Sequence, residues 1–417
     1  MYRRIAAIPA LTRGLFLLIP AVLPGCAAVG PEYQPPKPAA PAKWEAALPH
    51  GGLQAMLTNW WSQFNDPVLT GLIADAGISS PTLASAAARI AEARAALTGS
   101  AASALPAVNG NAGVVRSGAQ GDMPIASRTA GSVAVDAAWE IDLFGSVRRS
   151  TEAAGARLAA RRFEWHDARI SLAAEVANTY VGYRACRQLE AAYARDAASR
   201  GETEHLTRLL AEAGFAARAD MELAHASLAD ARADLENQHA TCEIAIKSMV
   251  ALVGLAETEL RARLDGDAGG VQGRLPAPAA FTVEAVPLRV LSQRPDLAAA
   301  ERGLAAASAD VGIAEANRYP RLTLSGNVSL TGVLGGASAG TDSRPWSFGP
   351  ALSVPLFDAG KRVAGVQAAE ARLAQQRAAY EAAVRAAINE VEQALVNLDS
   401  ARRREADASA AAAGYAS

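Results

Sequence analysis

The chain has 417 residues, of which 51% are hydrophobic but only 5% aromatic, so its apolar content is largely alanine rather than bulky core. That composition suits long helices packed through small side chains better than a compact enzyme. Forty basic against 42 acidic residues leave a net charge of −2, which argues against a general nucleic-acid binder.

The N-terminus reads as a targeting segment. "MYRR" supplies a basic start, and Gly14 to Leu23 is an apolar run of ten residues, too short to span a bilayer. "LPGC", Leu23 to Cys26, resembles the lipobox of bacterial lipoproteins, with cleavage before Cys26 and acylation of that cysteine. Removing residues 1–25 removes Arg3, Arg4 and Arg13 and no acid, so the mature charge is 37 − 42 = −5.

A helix is predicted from Pro81 to Pro106, opened by one proline in its first turn and stopped by the other. "PAVNGNAGVVR" (Pro106 to Arg116) follows with weak alternation, and "SVAVDAAWEIDL" (Ser132 to Leu143) with a strong one. In the latter Val133, Val135, Ala137, Trp139, Ile141 and Leu143 share one face, and Ser132, Ala134, Asp136, Ala138, Glu140 and Asp142 share the other. From Gly145 a proline-free helix is predicted to about Ala213, some 69 residues, or about 100 Å. "AEAGFAARAD" (Ala211 to Asp220) reads as a turn. Gly214 suits a left-handed position after the helix, and Asp220 suits the electropositive first turn of a returning helix, about Ala217 to Gly254. Cys186 and Cys242 lie on the two arms without a CxxC partner and are expected at different heights, as buried small residues with no disulfide. A Gly/Pro-rich connector runs from Leu264 to Ala280.

The same succession then repeats. A second helix spans Pro295 to Pro320, the same 25-residue interval as in the first copy. In "RLTLSGNVSL" (Arg321 to Leu330) the leucines and Val328 oppose Arg321, Thr323, Ser325, Asn327 and Ser329. In "WSFGPALSVPL" Trp346, Phe348, Leu352, Val354 and Leu356 oppose Ser347, Gly349, Ala351 and Ser353. From Gly145 and Gly360 the copies align at an offset of 215, which indicates duplication of a helix–strand–strand–helix module. The expected organisation is a signal peptide (1–25), an N-terminal segment (26–80), a first repeat (81–254), a linker (255–294) and a second repeat (295–417).

Strands of about ten residues with one apolar and one polar face fit a transmembrane β-barrel and also a soluble sheet with one wet face. The export signal favours the barrel. Four strands are too few to close one, so closure must come from oligomerisation.

These motifs resemble the TolC-type outer membrane factors, in the NodT-like branch of multidrug-efflux lipoproteins. The resemblance is carried by "GCAAVGPEYQPP", "WWSQFNDPVLTGLI" (Trp60 to Ile73), "AWEIDLFG", "RLLAEAGFAARADM", "SQRPDLAAAE", "RYPRLTLSG" and "SVPLFDAG". It implies a mixed α/β membrane protein: a homotrimer with four strands per protomer in a twelve-stranded outer-membrane barrel, continued by a long α-helical periplasmic barrel. It also implies a periplasmic adaptor and an inner-membrane pump as partners, docking of the adaptor on a hairpin tip at Gly214 and Asp220, a lipid anchor on Cys26, and no cofactor or nucleic acid. Phe215 and Met221 stand where the family more often has leucine and valine. On this reading Asp136, Glu140 and Asp142 line the channel, and Pro106 and Pro320 mark the helix-to-strand junctions.

Gly214 plus the offset gives 429, so the second tip and its return helix are expected beyond Ser417, in a truncated copy, and no gate residue is assigned. Asp399 and Asp407 read as solvated helix positions. A periplasmic coiled-coil adaptor, a structural lipoprotein or a non-functional truncated channel are the alternatives. An enzyme is disfavoured, because His50, His166, His205, His225 and His239 show no HExxH or i,i+4 pairing and no GxSxG, P-loop or CxxC is present. No catalytic or metal-binding residue is assigned, and the exported compound is not legible.

Overall fold

The computed structural model describes residues 28–37, 40–46, 53–54, 59–119, 126–265, 275–278, 281–282, 290–334 and 342–416, so the signal segment and Cys26 lie outside the described residues. In chain order come β1 (Leu53–Gln54), a 3-10 turn (Trp60–Phe64), α1 (Pro67–Ser79), α2 (Pro81–Ala102), β2 (Ala107–Ala119) and β3 (Ala126–Ile141). The long helix α3 (Ser146–Glu212) is followed by α4 (Arg218–Val253), α5 (Glu257–Asp265) and β4 (Phe281–Thr282). The second copy supplies α6 (Pro295–Ala316), β5 (Arg321–Val333), β6 (Asp342–Ser343), β7 (Trp346–Ser353) and α7 (Lys361–Ala416). The duplication is visible in α2 and α6, each 22 residues long and each opening on a proline. Pro106 and Pro320 stand immediately before β2 and β5, where a proline bars the preceding residue from helical geometry.

The chain folds as two compact units, the first drawing on the stretch up to Ala39, Arg89–Arg162 and Asp296–Arg385. Its centre is an antiparallel sheet in the order β2-β3-β5-β7, with the short β6 pairing the far end of β5. The strand-to-helix corners are built alike in both copies. Gly145 and Gly360 adopt φ of +85° and +84°, the left-handed region where a side chain is strained. At the first corner Asp142 accepts hydrogen bonds from the backbone N–H groups of Val147 and Arg148 at 3.2 and 2.9 Å and pairs with the Arg148 side chain at 3.3 Å. At the second, Asp358 accepts from the N–H groups of Gly360 and Arg362 and pairs with the Arg362 guanidinium at 2.8 Å. The Arg362 charge and these N–H groups hold the Asp358 carboxyl below its ordinary pKa against the opposing effect of burial. The reading of Asp142 as a strand residue needs correction: β3 ends at Ile141, and the carboxylate of Asp142 caps α3 because the free N–H groups of a helix start attract it. Likewise β7 ends at Ser353, so Val354 and Leu356 lie past the paired strand.

An N-terminal strap lies on this unit. The Val29 N–H donates to the Phe144 carbonyl at 3.1 Å. Buried Arg149 donates to the Val29 carbonyl at 3.2 Å and to Glu152 at 2.8 Å. Further along, the Tyr33 hydroxyl donates to the Glu301 carboxylate, and burial with that carboxylate pushes the phenol pKa well up. Gly30 has φ +93°, and a Cβ there would collide with the Gly312 backbone.

The second unit draws on Ala40–Ala88, Phe163–Pro295 and the chain from Ala386. Its core gathers Leu69, Leu72 and Ile73 of α1, Val176, Tyr180 and Tyr183 of α3, Ile246, Met249 and Val253 of α4, and Leu260 of α5. Asp66 organises it. One carboxylate oxygen caps α1 through the Leu69 N–H at 2.9 Å, and the other accepts from the buried Tyr180 hydroxyl at 2.9 Å, a cap worth about 1 kcal/mol. Ser79 donates to the Val253 carbonyl at 2.5 Å, closing the C-terminal end of α4, where Gly254 takes φ +73°. β1 and β4 pair in parallel.

One expectation fails here. Cys186 and Cys242 form a disulfide, with Cα atoms 5.6 Å apart. Each cysteine is 28 residues from Gly214 at the turn, and arms of equal length in an antiparallel helix pair bring them to the same height.

The strap yields a stability prediction. Gly30→Ala should detach it while leaving the sheet folded, and limited proteolysis should cut residues 28–37 at least ~10-fold faster than in wild type.

Candidate functional site: a two-faced sheet and a helical hairpin tip

Register sorts the strands into two faces. On one, Val133 of β3 stands between Ala112 of β2 and Leu330 of β5, and Val135 between Gly110 and Val328. The row extends to β7, where Trp346 faces Val328 and Leu352 faces Leu322. These side chains are not covered in the protomer: Trp346 is 75% exposed, Phe348 71% and Val135 52%. A continuous apolar sheet face of this size is a surface for lipid or another apolar phase, not for water. No described helix is by itself long and apolar enough to cross a bilayer.

The opposite face carries Asn109, Asn111, Ser132, Asp136, Glu140, Thr323, Ser325, Asn327 and Ser347, by the same two-residue period. Asp136 is its hub. Its two carboxylate oxygens accept from the side-chain amides of Asn111 on β2 and Asn327 on β5, so one fixed charge ties three strands. Glu140 follows on the same face, opposite Thr323. Asp142, the third acid expected there, is the helix cap described above. The alternation of Asn327 with the leucines was legible in the sequence, but its meeting with Asp136 is set by register between strands 191 residues apart.

Both outer edges of the sheet are open. Among the described residues β2 pairs only with β3, and β7 only with β5 and no further strand. Unpaired N–H and C=O rows in hydrocarbon cost several kcal/mol per group, so strands from further copies must complete them.

The hairpin tip is a second surface. The Phe215 N–H donates to the Leu210 carbonyl at 2.8 Å and the Gly214 N–H to the Ala211 carbonyl at 3.1 Å, the bonding of a Schellman helix end. Gly214, at φ +80°, turns the chain, and no atom lies within 4 Å of where its Cβ would be. Asp220 sits exposed in the first turn of α4, and its N–H donates to the Ala217 carbonyl at 3.0 Å. Phe215 is 84% exposed, with Leu209, Leu210 and Leu223 also uncovered nearby. The tip therefore offers an exposed apolar residue and an exposed acid on one hydrogen-bonded turn.

Among the described residues no cluster of His, Cys, Asp and Glu could hold a metal ion. Residues 72–255 and 286–416 match the family model described as outer membrane efflux protein. The chain is 30% identical over 404 residues to the outer membrane protein OprJ of Pseudomonas aeruginosa, covering 94% of this chain and 82% of OprJ. It is 28% identical over 399 residues to nodulation protein T of Rhizobium leguminosarum bv. viciae, covering 94% of this chain and 80% of that protein. The solved outer-membrane channel OprN superposes with a TM-score of 0.79 at 30% identity, covering 91% of this chain and 84% of OprN. A sheet with a lipid-facing side and two edges that only further copies can complete is what such a channel requires of one subunit. The chain belongs to the outer membrane efflux protein family, whose members are channels rather than enzymes and work as outer-membrane homotrimers with a periplasmic adaptor and an inner-membrane pump.

Proposed function

We propose that three copies of this chain close one barrel whose polar face lines a water-filled passage, a passive conduit for small molecules and drugs handed over by the pump. The observation that carries this reading is the sheet itself: four long strands, one apolar exposed face, one face charged at Asp136, and two open edges. The chain itself performs no catalytic step on this reading. Cys26, two residues before the described strap, is the acylated anchor to the membrane. Gly214 and Asp220 present the tip to the adaptor, the glycine by shaping the turn and the aspartate by adding charge to it.

Asp136 is held by two amides and cannot swing out of the passage. Asp136→Asn should therefore leave single-channel conductance of the reconstituted trimer in its normal range but reduce the cation-to-anion permeability ratio by about two- to three-fold, read from the reversal potential in a salt gradient. An unchanged ratio would remove Asp136 from the passage wall.

The tip is tested separately. Asp220→Arg keeps the turn but inverts its charge, and it should weaken capture of the adaptor at least ~10-fold, about 1.4 kcal/mol. Drug resistance of the complemented strain should fall with it, while the amount of trimer in the outer membrane stays at the wild-type level. Normal capture and resistance would show that docking lies elsewhere.

A further inference from the structure

We propose that Cys186 and Cys242 are an oxidative modification site: a register clamp on the α3–α4 hairpin, closed by exchange with an oxidising protein disulfide in the periplasm. The bridge joins two buried cysteines whose Cα atoms are 5.6 Å apart. It stands where the apolar core runs out. About one turn away on the side far from the tip, Tyr183 and Ile246 belong to the core of the second unit. On the tip side, between residues 187 and 241, the buried hydrophobic residues are only Ala197, Leu228 and Ala231.

What else joins the arms on that side is polar and exposed. Glu190 of α3 meets His239 of α4 at 2.7 Å, and Arg200 of α3 donates to Ser227 of α4 at 2.6 Å. Pairs of this kind contribute little in water. Leu228, lying against Gly201, is the one bulky hydrophobic side chain buried there, and the small side chains around it form shallow ridges that choose only weakly between neighbouring registers. Slippage by one turn, about 5.4 Å, would therefore meet little resistance from packing. The tip is 28 residues from either cysteine, about 42 Å of helix, and any such slip would reach Gly214 and Asp220 undiminished. A covalent bond where the core ends abolishes sliding of α3 against α4 and leaves bending of both arms together. Gln238 reinforces the level of the bond, its amide donating to the Cys186 carbonyl at 3.3 Å and lying 3.0 Å from Cys186 Sγ.

The chemistry is thiol–disulfide exchange. One cysteine thiolate attacks the carrier's disulfide, forming a mixed disulfide and releasing the carrier's other sulfur as a thiolate. The second cysteine then attacks the mixed disulfide, so the chain's two thiols are oxidised to one disulfide and the carrier's disulfide is reduced to two thiols. Both sulfurs are buried in the closed hairpin, so exchange must take place before the arms are fully zipped. The clamp can close only where the register is already right, because a shift of one turn separates the sulfurs beyond bonding distance.

The test begins with the trimer extracted from the outer membrane in the presence of N-ethylmaleimide and digested with trypsin without reductant. The peptide of residues 185–187 should be linked to that of residues 233–247, and the two should separate on reduction; alkylated, unlinked peptides would overturn the proposal. Cys186→Ala with Cys242→Ala keeps small apolar side chains in place, and Cys186→Ser with Cys242→Ser is the polar control. In both pairs hydrogen exchange at residues 190–238 should be at least ~10-fold faster than in wild type, with the α1 core unchanged. Equal exchange would mean that the bond does not clamp the hairpin. If neither variant accumulates as trimer, reduction of the folded wild-type trimer supplies the comparison, and unchanged exchange after confirmed reduction would again overturn the clamp.

Discussion

A β-sheet placed in hydrocarbon cannot leave an edge unpaired, and this protomer has two. Water would satisfy the outer rows of β2 and β7 at small cost, but lipid cannot. The apolar face shows which environment the sheet is built for, since Trp346, Phe348 and Leu352 would be a poor surface to hold in water. The subunit is therefore incomplete as an object. Trimeric closure is a condition of its having a stable barrel at all.

The same demand for satisfied backbone explains the corners. Where a strand turns into a helix, the first N–H groups of the helix have no partner along the chain. Both copies of the duplicated module solve this with an aspartate just before a left-handed glycine and an arginine just after it, although the aspartate lies three residues before Gly145 and two before Gly360. At the first corner the strap adds a further constraint. Gly145 is buried against Ala28, and the Arg149 side chain reaches the backbone of Val29, so the strap is seated on the corner itself.

In the helical part, small side chains allow close approach but specify position weakly. The organised core around Asp66 and Tyr180 fixes one end of the hairpin. The Cys186–Cys242 bond stands at the limit of that core, and the arms beyond it carry the exposed tip. The hairpin therefore changes along its length from packing that determines geometry to packing that merely permits it.

Local physics made much of this readable in advance. Pro81 and Pro295 open the short helices and Pro106 and Pro320 stand directly before the strands because proline acts within a residue or two of itself, and the alternation around Trp139 and Leu324 marks two-faced strands because side chains change face at every residue. Gly214 marks the tip because only a residue at ease with φ of +80° ends a helix in that way. The duplication adds long-range information from sequence alone, since it equates one half of the chain with the other. Three-dimensional pairing was needed for the rest. Asp136 meets Asn111 and Asn327 only through strand register, Asp142 leaves the strand because a helix start lies close enough to claim it, and the cysteines bond because two helices fold back at one turn. Local patterns decide which conformation each segment takes and which face is apolar. Contacts between distant segments depend on where every intervening turn falls, and that is decided only when the chain has folded.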